Sequence, residues 1–157
     1  MCMKSIYIIV LTVFFTILPE FHLLAQDING LSIGQKMTKS QIIDKLGEPT
    51  AYRTYVAEVG STIEIFNYDR NEVEFSDGCL SRFVIMDNRF TVLTKLISGG
   101  VKVGDPLSKI NSLNPEVATW RSSSQNVYYI STNEGEINVF FVVSDGIIKN
   151  INFSIPL

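Results

Sequence analysis

Four residues, Asp69, Glu72, Glu74 and Asp77, form the densest cluster of acids in this 157-residue chain. Glu72 and Glu74 are two apart, so on a strand they share a face, and a pair of carboxylates across a cleft is the machinery of glycoside cleavage. That chemistry needs one acid held protonated by a partly apolar pocket. The second half of the chain keeps almost none of these acids, and the spacing suits a solvated strand face. A calcium loop is excluded because Asp69, Asn71, Asp77 and Gly78 do not reproduce the ligand spacing that ion requires. Gly99, Gly100 and Gly104 precede a helical stretch, yet no Lys or Ser/Thr follows in the register that cradles a phosphate.

Nucleophilic chemistry is limited by the amino terminus. Lys4, an apolar run over residues 6–18, Pro19 and Glu20, then Leu23-Leu24-Ala25, follow the pattern of a signal peptide cut before Gln26. The run is shorter than the ~18–20 residues that span hydrocarbon, so no membrane span is expected after cleavage. Cys2 precedes the apolar core and therefore cannot be a lipid-attachment cysteine at the cut. Removing residues 1–25 leaves about 132 residues and takes away His22, the single histidine, together with Cys2. Without imidazole, Ser-His-Asp and Cys-His catalysis are excluded, as are the usual Cys and His zinc sites. The remaining thiol, Cys79, cannot close an intramolecular disulfide and reads as a small buried apolar residue. No catalytic, metal-binding or cofactor-binding residue is assigned, and the expectation is a non-enzymatic protein without a cofactor.

Composition sets the class of partner. With 46% hydrophobic and 18% charged residues the chain can bury a core, and 13 basic against 16 acidic residues leave no footprint for gripping nucleic acid. Aromatic residues are the more informative set. Tyr128 and Tyr129 are adjacent, so on a strand they face opposite sides, and one short helix per half cannot cover both faces of a sheet. Some aromatics should therefore lie on an open sheet surface, where Tyr and Trp anchor protein contacts. Tyr52, Tyr68, Trp120, Tyr128 and Tyr129 are the expected partner-binding residues.

The elements that would position them recur. Thr38 opens a helix with Gln41 in capping-box spacing, Ile42, Ile43 and Leu46 form its stripe, and Gly47 with Pro49 stops it. In a second copy, Asp105 caps, Pro106 takes the first helical position, Leu107, Ile110 and Leu113 form the stripe, and Asn114 with Pro115 ends it. Phe75-Ser76-Asp77-Gly78 then answers Val143-Ser144-Asp145-Gly146 at an offset of 68, each Asp-Gly marking a hairpin. The reading is an α+β fold: two tandem helix-plus-antiparallel-strand repeats forming one sheet, with short helices packed on one face. Residues 26–157 form a single domain, its repeats at about 31–95 and 101–157, joined through residues 96–102.

This pattern, on residues 37–49 and 75–83 and again on 104–115 and 143–151, resembles a known group. It is similar to the family joining outer-membrane assembly lipoproteins of the BamE (SmpA/OmlA) type with the tandem-repeat β-lactamase inhibitor protein (BLIP). The resemblance implies a BLIP-like protein that presents a sheet face or loops to another protein. The lipobox of the lipoproteins and the disulfides of the inhibitor are both missing. The expectation is an exported, periplasmic or secreted, non-catalytic module that binds another envelope or secreted protein as inhibitor, immunity factor or assembly accessory. The alternative is a carrier of a small apolar or cell-wall ligand held between helix and sheet.

Overall fold

A computed structural model describes residues 27–113, 118–124, 126–132 and 137–154. The expected signal peptide and the expected helix stop at Asn114 and Pro115 lie outside these residues.

Asp-Gly chemistry sets the hairpins. Asp77 and Gly78 have φ of 50° and 80°, and Asp145 and Gly146 have 55° and 72°, the paired positive values that tight two-residue turns need. They close β5 (Asn71–Ser76) onto β6 (Cys79–Ile85) and β9 (Ile137–Ser144) onto β10 (Ile147–Ser154). Upstream, β3 (Ala51–Val56) and β4 (Thr62–Tyr68) precede the first hairpin, and β7 (Ala118–Ser122) and β8 (Val127–Thr132) precede the second. All eight lie in one antiparallel sheet ordered β3-β4-β5-β6-β10-β9-β8-β7. Each half thus contributes a four-stranded meander, and the halves meet where β6 pairs with β10, Phe83 opposite Phe153 and Ile85 opposite Ile151.

The expected α+β class is overturned, because 50% of the described residues are strand and 12% helical. The first helix, α1 (Lys39–Leu46), forms as its capping chemistry dictates. Thr38 Oγ1 accepts from Gln41 N–H at 3.4 Å, Gln41 Oε1 accepts from Thr38 N–H at 2.9 Å, and Gly47 ends the helix at φ 87°. The second is only a 3₁₀ helix, Leu107–Ser112, with Pro106 outside it in extended conformation. Asp105 does not cap it: its carboxylate accepts from Lys102 N–H at 2.8 Å and from Lys109 Nζ at 2.9 Å. Two helix-plus-strand repeats are therefore not what this chain builds.

The cover over the sheet comes largely from irregular chain. One apolar cluster joins Phe66, Val73, Phe75, Phe83, Phe141, Ile151 and Phe153 from the sheet to Ile42 and Leu46 of α1 and Ile110 of the 3₁₀ helix. It also takes in Ile28 and Leu31 of a two-stranded hairpin, β1 (Asp27–Ile28) with β2 (Leu31–Ser32), and Phe90, Val92, Leu93, Leu96, Ile97 and Val101 from the segment between the halves. Residues 96–102, expected as a join, thus place Leu96, Ile97 and Val101 in the core. The segment's anchor is the buried Asp27 carboxylate, which accepts from Gly30, Thr94 and Lys95 N–H at 3.2–3.3 Å and from the Thr94 hydroxyl. A carboxylate saturated in this way is the form in which burial of charge is tolerated.

The two hairpin glycines differ in surroundings. A methyl group on Gly78 would lie 2.9 Å from the Met37 carbonyl oxygen, whereas one on Gly146 would meet nothing within 4 Å. In denaturant unfolding, Gly146→Ala is expected to cost only the positive-φ penalty of about 1–2 kcal/mol. Gly78→Ala should cost measurably more, because the backbone of residues 36–37 must also move. Equal losses would show that the Met37 contact carries no weight.

Candidate functional site

Cross-strand register sorts every strand residue onto one of two faces, since directly opposed side chains lie on the same side. The row Tyr52, Phe66, Val73, Phe83, Phe153 faces the apolar cluster. The neighbouring row Ala51, Asn67, Glu72, Val84, Asn152, Phe140, Tyr129, Arg121 crosses all eight strands on the opposite face. Among the described residues no helix lies over that face: α1 and the 3₁₀ helix bury Ile42, Leu46 and Ile110 against the other.

The open face divides chemically. Toward β3 it is charged. Glu72 accepts from Arg53 Nη2 at 3.2 Å and from Arg82 Nη1, and Arg82 lies 3.7 Å from Glu74 Oε2. Beside this network a hollow of about 460 Å³ is lined by Tyr55, Ala57, Ile63, Glu74, Ser76, Ser81, Arg82 and Ser154. Glu72 and Glu74 thus share a face as the spacing implied, but arginines engage both, and they do not face one another across an apolar cleft. Toward β7 the face is aromatic and aliphatic. The Tyr129 and Phe140 rings sit 6.1 Å apart, and Phe140 and Val142 are each 37% exposed.

The five expected partner-binding residues do not share this surface. Tyr129 alone belongs to it. Tyr52 is on the core side, its ring 5.0 Å from Phe66 and under Lys39 Nζ at 3.4 Å, its hydroxyl donating to Glu64 Oε1 at 2.7 Å. Desolvation, aided by that carboxylate, raises its phenol above the ordinary value. Trp120 and Tyr128, 5.9 Å apart, also lie on the core side: Trp120 opposes buried Ile130, and Tyr128 opposes buried Phe141. Trp120 stays 38% exposed at the margin, and Tyr128 packs against the cluster.

Tyr68 is corrected outright, because it is fully buried. Phe90 covers it edge-on at 5.1 Å and the Arg89 guanidinium lies 4.7 Å from its ring. Phe90 belongs to the segment between the halves, so a contact distant in sequence helps to bury Tyr68. Phe140 and Val142 also lie on the open face, and strand alternation alone does not mark them, because it leaves the phase of β9 unset. Two residues of turn place Ser144 opposite Ile147, a bulge between Ile148 and Asn150 shifts the register, and Phe141 then faces in with Phe140 out.

Where the ligand-carrier reading places its ligand, between α1 and the sheet, Ile42 and Leu46 pack into the apolar cluster. Among the described residues no three His, Cys, Asp or Glu side chains group to hold a metal ion, and no helix is long and apolar enough to cross a membrane. No family model, curated protein or solved structure matches the chain.

Among the described residues the Tyr68 hydroxyl has no hydrogen-bond partner, and burial pushes its phenol up to about 12, opposed by Arg89. A pKa raised by folding means that its contribution to stability is complete below about pH 10 and lost as pH rises through about 12. Tyr68→Phe removes both the orphaned hydroxyl and the titration. It is expected to leave stability at pH 7 unchanged or raised by up to about 1–3 kcal/mol, and to flatten the loss above pH 10. Thermal denaturation of both forms from pH 7 to 11.5 measures this, and a destabilised variant would reveal a partner for the hydroxyl.

Proposed function

We propose that this chain is an exported, non-catalytic protein-binding module that works in the periplasm or outside the cell and meets its partner with the open face of its eight-stranded sheet. The observation that carries the reading is the cluster of Tyr129, Phe140 and Val142 on a face that no described helix covers. Exposed aromatic and branched side chains beside a charged field match the anatomy of protein interfaces, with an apolar anchor and a polar surround that orients it. Arg53, Glu72, Arg82 and Glu74 supply that surround across β3 to β6. The resemblance to the assembly-lipoprotein and β-lactamase-inhibitor family points the same way, toward an inhibitor, immunity or assembly-accessory role with another envelope or secreted protein.

Cross-linking in intact cells, followed by mass-spectrometric identification of the attached protein, tests this reading. The double variant Phe140→Ser, Val142→Ser is expected to weaken binding to the captured partner more than tenfold, as loss of an anchor does. Trp120→Ala, on the other side of the sheet, should leave affinity within about twofold of the unaltered chain. If Trp120→Ala abolishes binding while the double variant does not, the partner uses the opposite face and the assignment is wrong.

A further inference from the structure

We infer that the chain self-associates through the free edge of β3, forming a two-fold dimer in which the sheets of two copies become one. β3 is the terminal strand of the sheet, and five of its six residues are exposed. Among the described residues nothing pairs with its outer side. Its six-residue ladder with β4 runs without a bulge, it contains neither Lys nor Pro, and its one charged residue, Arg53, is ion-paired with Glu72, so it carries few of the devices that keep sheet edges apart.

The hydrogen-bond phase of the edge follows from β4. Thr62 accepts from Asp77 N–H at 2.8 Å and donates its own N–H to Asp77 Oδ1 at 2.8 Å, so both its backbone groups turn toward β5. Val56, its cross-strand partner, therefore turns N–H and C=O away from β4. Ala57 N–H donating to Ser61 O at 2.8 Å fixes the same phase. By alternation Tyr52, Thr54 and Val56 present their backbone groups outward.

An antiparallel copy must match both these outward groups and the two faces. A two-fold axis through Thr54 does so over the whole strand. Thr54 pairs with Thr54 and Tyr52 with Val56, so every outward N–H and C=O of the strand is bonded. On the core side the partners are an aromatic and a β-branched residue; on the open face the Arg53 guanidinium meets the Tyr55 ring of the other copy, which is 51% exposed. Moving the axis to Arg53 sets two guanidinium groups directly opposite, and moving it to Tyr55 leaves Tyr52 without a partner in the strand. Self-complementarity thus selects one register, and an isologous contact of this kind closes at two copies. The Tyr129, Phe140 and Val142 patch used for the proposed partner lies toward the other end of the sheet and is left free, so the two inferences stand or fall separately.

Sedimentation equilibrium of the chain purified from cells that export it, between about 1 and 500 μM, is expected to show a mass rising from monomer toward dimer, the behaviour of a small interface. Thr54→Pro, which removes an outward N–H, and Thr54→Lys, which sets like charges on the axis, should both give monomers with unchanged circular dichroism. In a Cys79→Ser background, Thr54→Cys should oxidise readily to a disulfide dimer, because Cα atoms about 5.5 Å apart suit that bond. A monomer throughout the range, a dimer that survives Thr54→Lys, or open-ended polymers in place of a dimer would overturn the inference.

Discussion

The antiparallel ladder between β6 and β10 is, among the described residues, the only strand pairing that joins the first four strands to the last four. Its cross-strand pairs are apolar on the inner side: Phe83 with Phe153, rings 5.6 Å apart, and Ile85 with Ile151. All four are buried, and they make the clusters of the two halves one interior. A half of about 60 residues buries too little surface to be comfortable alone, so this seam lets each meander lean on the other. The segment over residues 90–101 reinforces it by laying six apolar side chains on the shared face, with the Asp27 carboxylate as its anchor.

Covering one face so completely leaves the other bare, and this organises the rest of the molecule. Strand alternation must send every second side chain outward, and the chain places charge there along β3 to β6 and aromatic bulk along β8 and β9. The ion-paired carboxylates that looked like candidate acid and base become the polar side of a surface. Aromatic residues on the same strands divide by parity, Tyr128 inward and Tyr129 outward, Phe141 inward and Phe140 outward.

What was legible in the sequence was local. The Thr38–Gln41 capping box and the Asp77-Gly78 and Asp145-Gly146 turns act over three or four residues, and each formed as its chemistry requires. Competing contacts, some near in sequence and some distant, decided the remainder. Asp105 resembles a cap, but Lys109 and the Lys102 N–H take its carboxylate, and the stripe after it forms a 3₁₀ helix. Phe90 arrives from the segment between the halves to bury Tyr68, and the bulge in β10 sets which face of β9 points outward. A sheet whose cover is irregular chain carries no helical period to announce it, which is why an α+β architecture was expected where a mostly-β one exists.

Native-state hydrogen exchange measures the central claim of one shared interior most directly. Amides of β6 and β10 that bond across the seam should be among the most protected in the chain. Their opening should have the free energy and denaturant dependence of global unfolding, and the β4–β5 and β8–β9 ladders should open in the same event. If the strands β7 to β10 exchange through a separate, lower-energy opening while β3 to β6 stay protected, the halves fold independently and the shared interior does not hold the molecule together.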